Sequence, residues 1–184
     1  MVMPAVLVLD DDDPLLAGYG ECERPSSWRT LIGARRRLGE LYNLVFDLIP
    51  DAPCYGFLCD DAVPLTPGWD IALAAIAGTD GLAAPAGGHH PTIAPHFCLG
   101  GDLVRDTGWL ALPGLDRLYI DRVWHDIARA TGVYRAAPEV VIEHRHFSTG
   151  QALYDSTYRK DHKDDDRAAY RAWRHTFETE GTHR

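Results

Sequence analysis

Short apolar runs that stop abruptly at ionisable residues constrain this chain more than any other feature. Ala5-Val6-Leu7-Val8-Leu9 runs into Asp10-Asp11-Asp12-Asp13, Tyr55-Gly56-Phe57-Leu58-Cys59 into Asp60-Asp61, and Val140-Val141-Ile142 into Glu143-His144. A continuous apolar run bounded by turn formers predicts a buried strand, because a strand covered on both faces has no polar side to show. Between the runs the period changes to that of a helix. Leu38, Leu41, Tyr42, Val45 and Leu48 share one helical face, behind Arg35, Arg36 and Arg37 at its opening, and the pattern must stop before Pro50 and Pro53. Thr66-Pro67-Gly68-Trp69 offers an N-cap and an early proline to a helix reaching Ala77. Asp121 to Ala130 reads as another helix, closed by Gly132. Trp28 to Ile32 and Gly81 to Pro85 read as further strands, and Gly18 to Ser27 and Gly87 to Pro95 as loops. This alternation predicts an α/β, Rossmann-like single domain over residues 1–148, with a mostly parallel central sheet flanked by helices. Residues 149–184 form a polar C-terminal extension whose Tyr170, Trp173 and Phe177 make a helical stripe expected to pack back on the domain. Asp164-Asp165-Asp166 suits the start of that helix, where the macrodipole favours negative charge.

Composition narrows the function. With 184 residues, 46% of them hydrophobic and 24% charged, the chain can bury a core without disulfides and is not a disordered segment. Cys22, Cys54, Cys59 and Cys98 have no CxxC spacing, so no zinc knuckle or redox pair is indicated. A net charge of -9 argues against sequence-independent binding to duplex nucleic acid, which depends on counterion release by clustered Lys and Arg. No apolar run approaches the ~20 residues of a membrane span and the start lacks a basic leader, so a cytoplasmic protein is expected.

In open α/β sheets, ligands bind beyond the carboxyl ends of strands. Acidic residues gathered there repel one another unless a cation lies between them, and carboxylate with imidazole suits Mg²⁺ or, better, Mn²⁺. His144 and His146 lie on one face if their strand continues. His89, His90 and His96 sit in a Gly/Pro loop with neither a partnering Cys nor HxxxH spacing, and read as a mobile acceptor-side loop rather than a zinc site. Trp69 and Trp109 read as core anchors, and Asp102 as a turn cap or a sugar contact.

Four segments in register carry a resemblance. Tyr55 to Trp69, with Asp60-Asp61 ahead of Pro67-Gly68-Trp69, resembles the DxD segment of GT-A glycosyltransferases, in particular the family-2-like inverting enzymes. Leu99-Gly100-Gly101-Asp102 through Trp109 resembles their acceptor-side segment, and Leu115 to Trp124 their ED region. Val140 to His146 resembles the late strand that supplies a metal-binding histidine. The set is similar to short glycosyltransferase-like proteins of bacteriophages. The resemblance implies that Asp61 and His144 bind a Mn²⁺ or Mg²⁺ ion and that Asp121 is the general base. It further implies that Asp60, Asp10 and Asp11, together with Arg35 and Arg36, contact the nucleotide part of a nucleotide diphosphate sugar, and that Asn43 matches a recurrent asparagine. The pattern is departed from at Cys59, which stands at the first aspartate of DxD, at Ile120, which replaces the glutamate before the base, and before Val6, where the family has one more strand.

The activity expected from the resemblance is metal-dependent transfer of a sugar, with inversion, from a nucleotide diphosphate to an acceptor hydroxyl on a virion protein, a modified DNA base or a small molecule. Asp61, Asp121 and His144 would then converge on one cleft. The alternatives are a nucleotidyltransferase on a similar sheet and a non-catalytic protein that binds nucleotide sugar or retains the fold for a structural role.

Overall fold

In the computed structural model, residues 4–88, 90, 92–145, 150–151 and 163–180 are described. The strands are β1 (Val6–Asp10), β2 (Arg29–Gly33), β3 (Cys54–Gly56), β4 (Ala62–Pro64), β5 (Leu82–Ala86), β6 (Cys98–Gly100) and β7 (Tyr134–His144). The helices are α1 (Leu16–Glu21), α2 (Leu38–Leu48), α3 (Trp69–Ala77), α4 (Gly101–Thr107), α5 (Ile120–Ala130) and α6 (Lys163–Glu180). The fold is α/β. The main sheet has five strands in the order β3-β6-β5-β7-β4.

That sheet is not mostly parallel. Among the described residues only β5–β7 is parallel in this sheet, whereas β3–β6, β6–β5 and β4–β7 are antiparallel. Connection length explains the difference. β5 returns to β6 through residues 87–97, a connection with no helix among its described residues, and so pairs antiparallel. β7 follows β5 only after α4 and α5, the long crossover that a parallel pair needs. β1 and β2 do form the expected parallel pair, but as a separate two-stranded sheet that shares no ladder with the main one. The strand expected over Tyr55–Cys59 ends at Gly56, and Asp60-Asp61 form the turn that leads into β4. The loop expected over Gly18–Ser27 contains the end of α1.

Alternation along β5 and β6 explains why the sheet is covered twice. Leu82, Ala84 and Leu99 face one side, against Val104, Val123, Trp124 and Ile127 of α4 and α5. Ala83 and Cys98, one residue out of phase, face the other side against Leu73 and Ala77 of α3. Leu82, Leu99 and Trp124 are fully buried and stabilise the fold by roughly 2 kcal/mol each through apolar area alone. α2 closes over the first layer at Gly39, where a Cβ would stand 2.2 Å from the Leu115 carbonyl oxygen. Asn43 on the same helix donates to the Ala111 carbonyl and accepts from the amides of Leu110 and Ala111, each at 2.9 Å, which pins the loop before α5.

α6 docks on this layer through Tyr170, Trp173 and Phe177. Asp166 differs from Asp164 and Asp165, which are exposed. It is completely buried and accepts the amides of Asp116, Arg117 and Leu118 at 2.6, 3.1 and 2.7 Å. The Tyr170 hydroxyl donates to Asp126 at 2.6 Å, and Tyr170 stacks on Tyr119 with ring centroids 4.9 Å apart.

Candidate metal centre

The register of β4 on β7 creates the site. Ala62 pairs with His144 and Val63 with Glu143, and the ladder is extended by the Arg145 amide donating to the Asp61 carbonyl at 2.8 Å. Asp61 therefore lies one residue before the start of β4, beside the last residue of β7. Its Oδ2 stands 3.0 Å from His144 Nε2, although 83 positions separate the two in sequence. On the other side, the His144 amide donates to the Gly87 carbonyl at 3.3 Å. Gly87 has φ of +95°, and a Cβ there would fall 2.4 Å from the Ile142 carbonyl oxygen, so only glycine lets the end of β5 approach β7 so closely.

A second imidazole completes the group. The His96 ring meets the His144 ring edge-on, with centroids 4.8 Å apart, and ligand atoms of Asp61, His96 and His144 all lie within 4.8 Å of one another. His96 is 2% exposed and His144 9%, while the Asp61 side chain keeps 22% of its surface open. The loop carrying His96 is held from below. Ile93 and Ala94 are buried, and the Ala94 amide donates to His125 Nε2 at 3.1 Å. Because Nε2 accepts, the proton of neutral His125 resides on Nδ1, which donates to the Asp121 carbonyl at 2.8 Å. Burial lowers the pKa of His125, against the opposing pull of the Asp121 carbonyl. Phe97 packs edge-on against this ring, with centroids 5.7 Å apart.

His125 thus ties the His96 loop to the segment of Asp121. The Asp121 carboxylate accepts the Arg122 amide at 2.7 Å in the first turn of α5, directly after Tyr119, whose φ of +67° is unusual for a non-glycine residue. Crowding by the surrounding chain and the carboxylates of Asp61 and Asp60 push the Cys59 thiol up to about 12; Arg117 opposes this and Asp121 adds to it. At neutral pH it is a thiol and not an anionic ligand.

No family model, curated protein or solved structure matches this chain. The site therefore rests on its geometry. One carboxylate oxygen and two imidazole nitrogens, all within 4.8 Å of one another, are a donor set that fits a divalent transition ion. A cavity of about 230 Å³ that none of the three side chains lines opens between Gly87, Thr92, Ile93, Ala94 and Tyr134. Gly87 and Ala94 belong to the backbone that holds His144 and His96.

Asp10, Asp11, Arg35 and Arg36 belong to the separate β1–β2 unit. Arg35 is paired there with Asp10 at 3.3 Å and Asp12 at 3.0 Å, and the Asp11 amide donates to the Gly33 carbonyl. Arg35 and Arg36 precede α2 rather than opening it, because the helix starts at Leu38, where the Glu40 carboxylate accepts the Arg37 amide. Asp60 is exposed in the turn before β4. Asp102 is bonded to Arg105 at 2.7 Å, which with Thr79 lowers its pKa. Trp109 packs on the fully buried Trp124. His89 and His146 lie outside the described residues. Sequence reasoning places His96 in a mobile acceptor-side loop, and the structure buries it with its ring against His144. Its signal was the apolar run Phe97-Cys98-Leu99 directly after it, the mirror image of the runs that end in Asp60 and His144.

Proposed function

We propose that this protein is a divalent-metal-dependent transferase that moves a sugar, with inversion, from a nucleotide diphosphate to an acceptor hydroxyl, on a GT-A-like fold. The observation that carries the reading is the meeting of Asp61 and His144 at 3.0 Å, from distant segments that bear the glycosyltransferase-like motifs. Asp61, His144 and His96 would hold the cation, which when bound supplies neutralisation of the charge gathering on the departing diphosphate. In the reaction the acceptor oxygen attacks the anomeric carbon, the bond from that carbon to the phosphate oxygen breaks, and its electron pair leaves with the nucleoside diphosphate. The acceptor proton goes to the Asp121 carboxylate, which must lie on the face opposite the leaving group. His125 anchors the Asp121 backbone and keeps the two functions on a common support. Asp60, exposed next to Asp61 in the chain, is a candidate for a donor contact, as are Asp10, Asp11, Arg35 and Arg36.

Chromatographic detection of nucleoside diphosphate released from a panel of nucleotide sugars, with Mn²⁺ and candidate acceptors, tests the reading. Asp121→Asn should lower release at least ~100-fold, the scale of general base catalysis, with nucleotide affinity unchanged. Equal turnover by that variant would remove Asp121 as the base, and release of pyrophosphate from a nucleoside triphosphate and a sugar phosphate, with no nucleoside diphosphate released from nucleotide sugars, would replace sugar transfer with nucleotidyl transfer.

A further inference from the structure

We infer that Asp61, His96 and His144 form a resident site for a borderline transition dication, of the class of Mn²⁺, Fe²⁺, Co²⁺ and Zn²⁺, which is filled without any nucleotide and discriminates against Mg²⁺. The inference rests on the metal half of the proposed function and is independent of the sugar-transfer half. Mg²⁺ demands oxygen donors in a near-ideal octahedron and retains several waters. Two of the three donors here are imidazole nitrogens, which favour the later first-row ions by the Irving–Williams order. One carboxylate gives the group a single negative charge, little attraction for a strongly hydrated hard ion. Three protein ligands from three separate elements are also enough to retain an ion without a phosphate to complete the shell.

The three side chains are positioned before any ion arrives. The β4–β7 register places Asp61 against His144, and the Gly87 carbonyl holds the end of β7 from the other side. His96 is buried in a loop fastened by the bond from Ala94 to His125. Both imidazoles are closed off from solvent, whereas Asp61 is partly open, so an ion would reach the group from the Asp61 side. His125 is a positioning residue here: both its nitrogens are engaged by backbone, at 3.1 and 2.8 Å, and neither is left to ligate.

The test uses the full chain, stripped with a chelator and held free of nucleotide. Titration with Co²⁺ should saturate at one ion per chain with a visible spectrum typical of nitrogen and oxygen ligation, and a hundredfold excess of Mg²⁺ should not displace it. His96→Ala should weaken Co²⁺ binding at least ~10-fold, the lower end of what even an outer-shell partner of a metal contributes. Displacement by equimolar Mg²⁺, or equal affinity in His96→Ala, would overturn the assignment. Since His96 is buried, the unaltered chain supplies the second measurement. Zn²⁺ should move the ring-nitrogen resonances of His96 and His144 in imidazole NMR and leave those of His125 in place, and an unmoved His96 would overturn the site whatever becomes of the variant. Tight Co²⁺ binding with no sugar transfer would sink the activity and spare this site. Full transfer activity with Mg²⁺ alone would do the reverse.

Discussion

His125 shows how much a single side chain can decide here. Buried between the Ala94 amide and the Asp121 carbonyl, it can satisfy both only as the neutral Nδ1-protonated tautomer, and burial lowers its pKa below the usual histidine value. As pH falls below about 6.5 the unfolded chain takes up this proton first, so the histidine's contribution to stability is complete above that pH and declines below it, towards the lowered folded-state pKa. Denaturant unfolding followed from pH 7.5 to 5 should show that decline, and His125→Gln should show a shallower one; an equal slope in the variant would remove His125 as its source. In the sequence, His125 was one more residue of a predicted helix, because nothing local distinguishes a bonded core imidazole from a surface one. His96 was hidden for a related reason. Its partners are at positions 61 and 144, and a search for neighbouring ligands could not reach them.

At the level of elements, the helical periods were readable and their attachments were not. The stripe of Tyr170, Trp173 and Phe177 marked α6 and its apolar face, and that face does lie on the core. Asp166, on the same helix, was indistinguishable from Asp164 and Asp165, yet it alone enters the core to accept three amides ahead of α5. Asp166→Ala leaves those donors buried without their acceptor and should cost about 3 kcal/mol of unfolding free energy, measured by urea denaturation, whereas Asp165→Ala should cost less than about 0.5 kcal/mol. Similar losses at both positions would mean that the charge of the helix start, and not the buried bonds, holds α6 in place. The loop so fastened ends at Tyr119, whose positive φ is supported by stacking on Tyr170, and Asp121 follows two residues later. α6 therefore supports the segment to which the proposed base belongs.

For the whole molecule, a ligand that binds only the folded chain raises its stability by mass action. At a hundred times its dissociation constant, a transition dication should add about 2.7 kcal/mol, which for a chain of this size raises Tm by roughly 5–10 °C, reversed by chelator. A calorimetric scan in which Zn²⁺ or Co²⁺ leaves Tm unmoved would show that the folded chain does not bind the ion. No helix among the described residues is long and apolar enough to cross a membrane. By itself the amino-acid sequence determined the α/β character, the limits of most helices and the strand-end positions of Asp10 and His144 to within a few residues, because apolar period and turn chemistry act between neighbours. Only the tertiary structure decided that β1 and β2 stand apart, that β6 and β4 run antiparallel to their neighbours, and that Asp61, His96 and His144 share one point in space. Those outcomes depend on connection lengths, on register between strands and on the close approach permitted at Gly87, which are properties of pairs of segments and leave no trace in either segment alone.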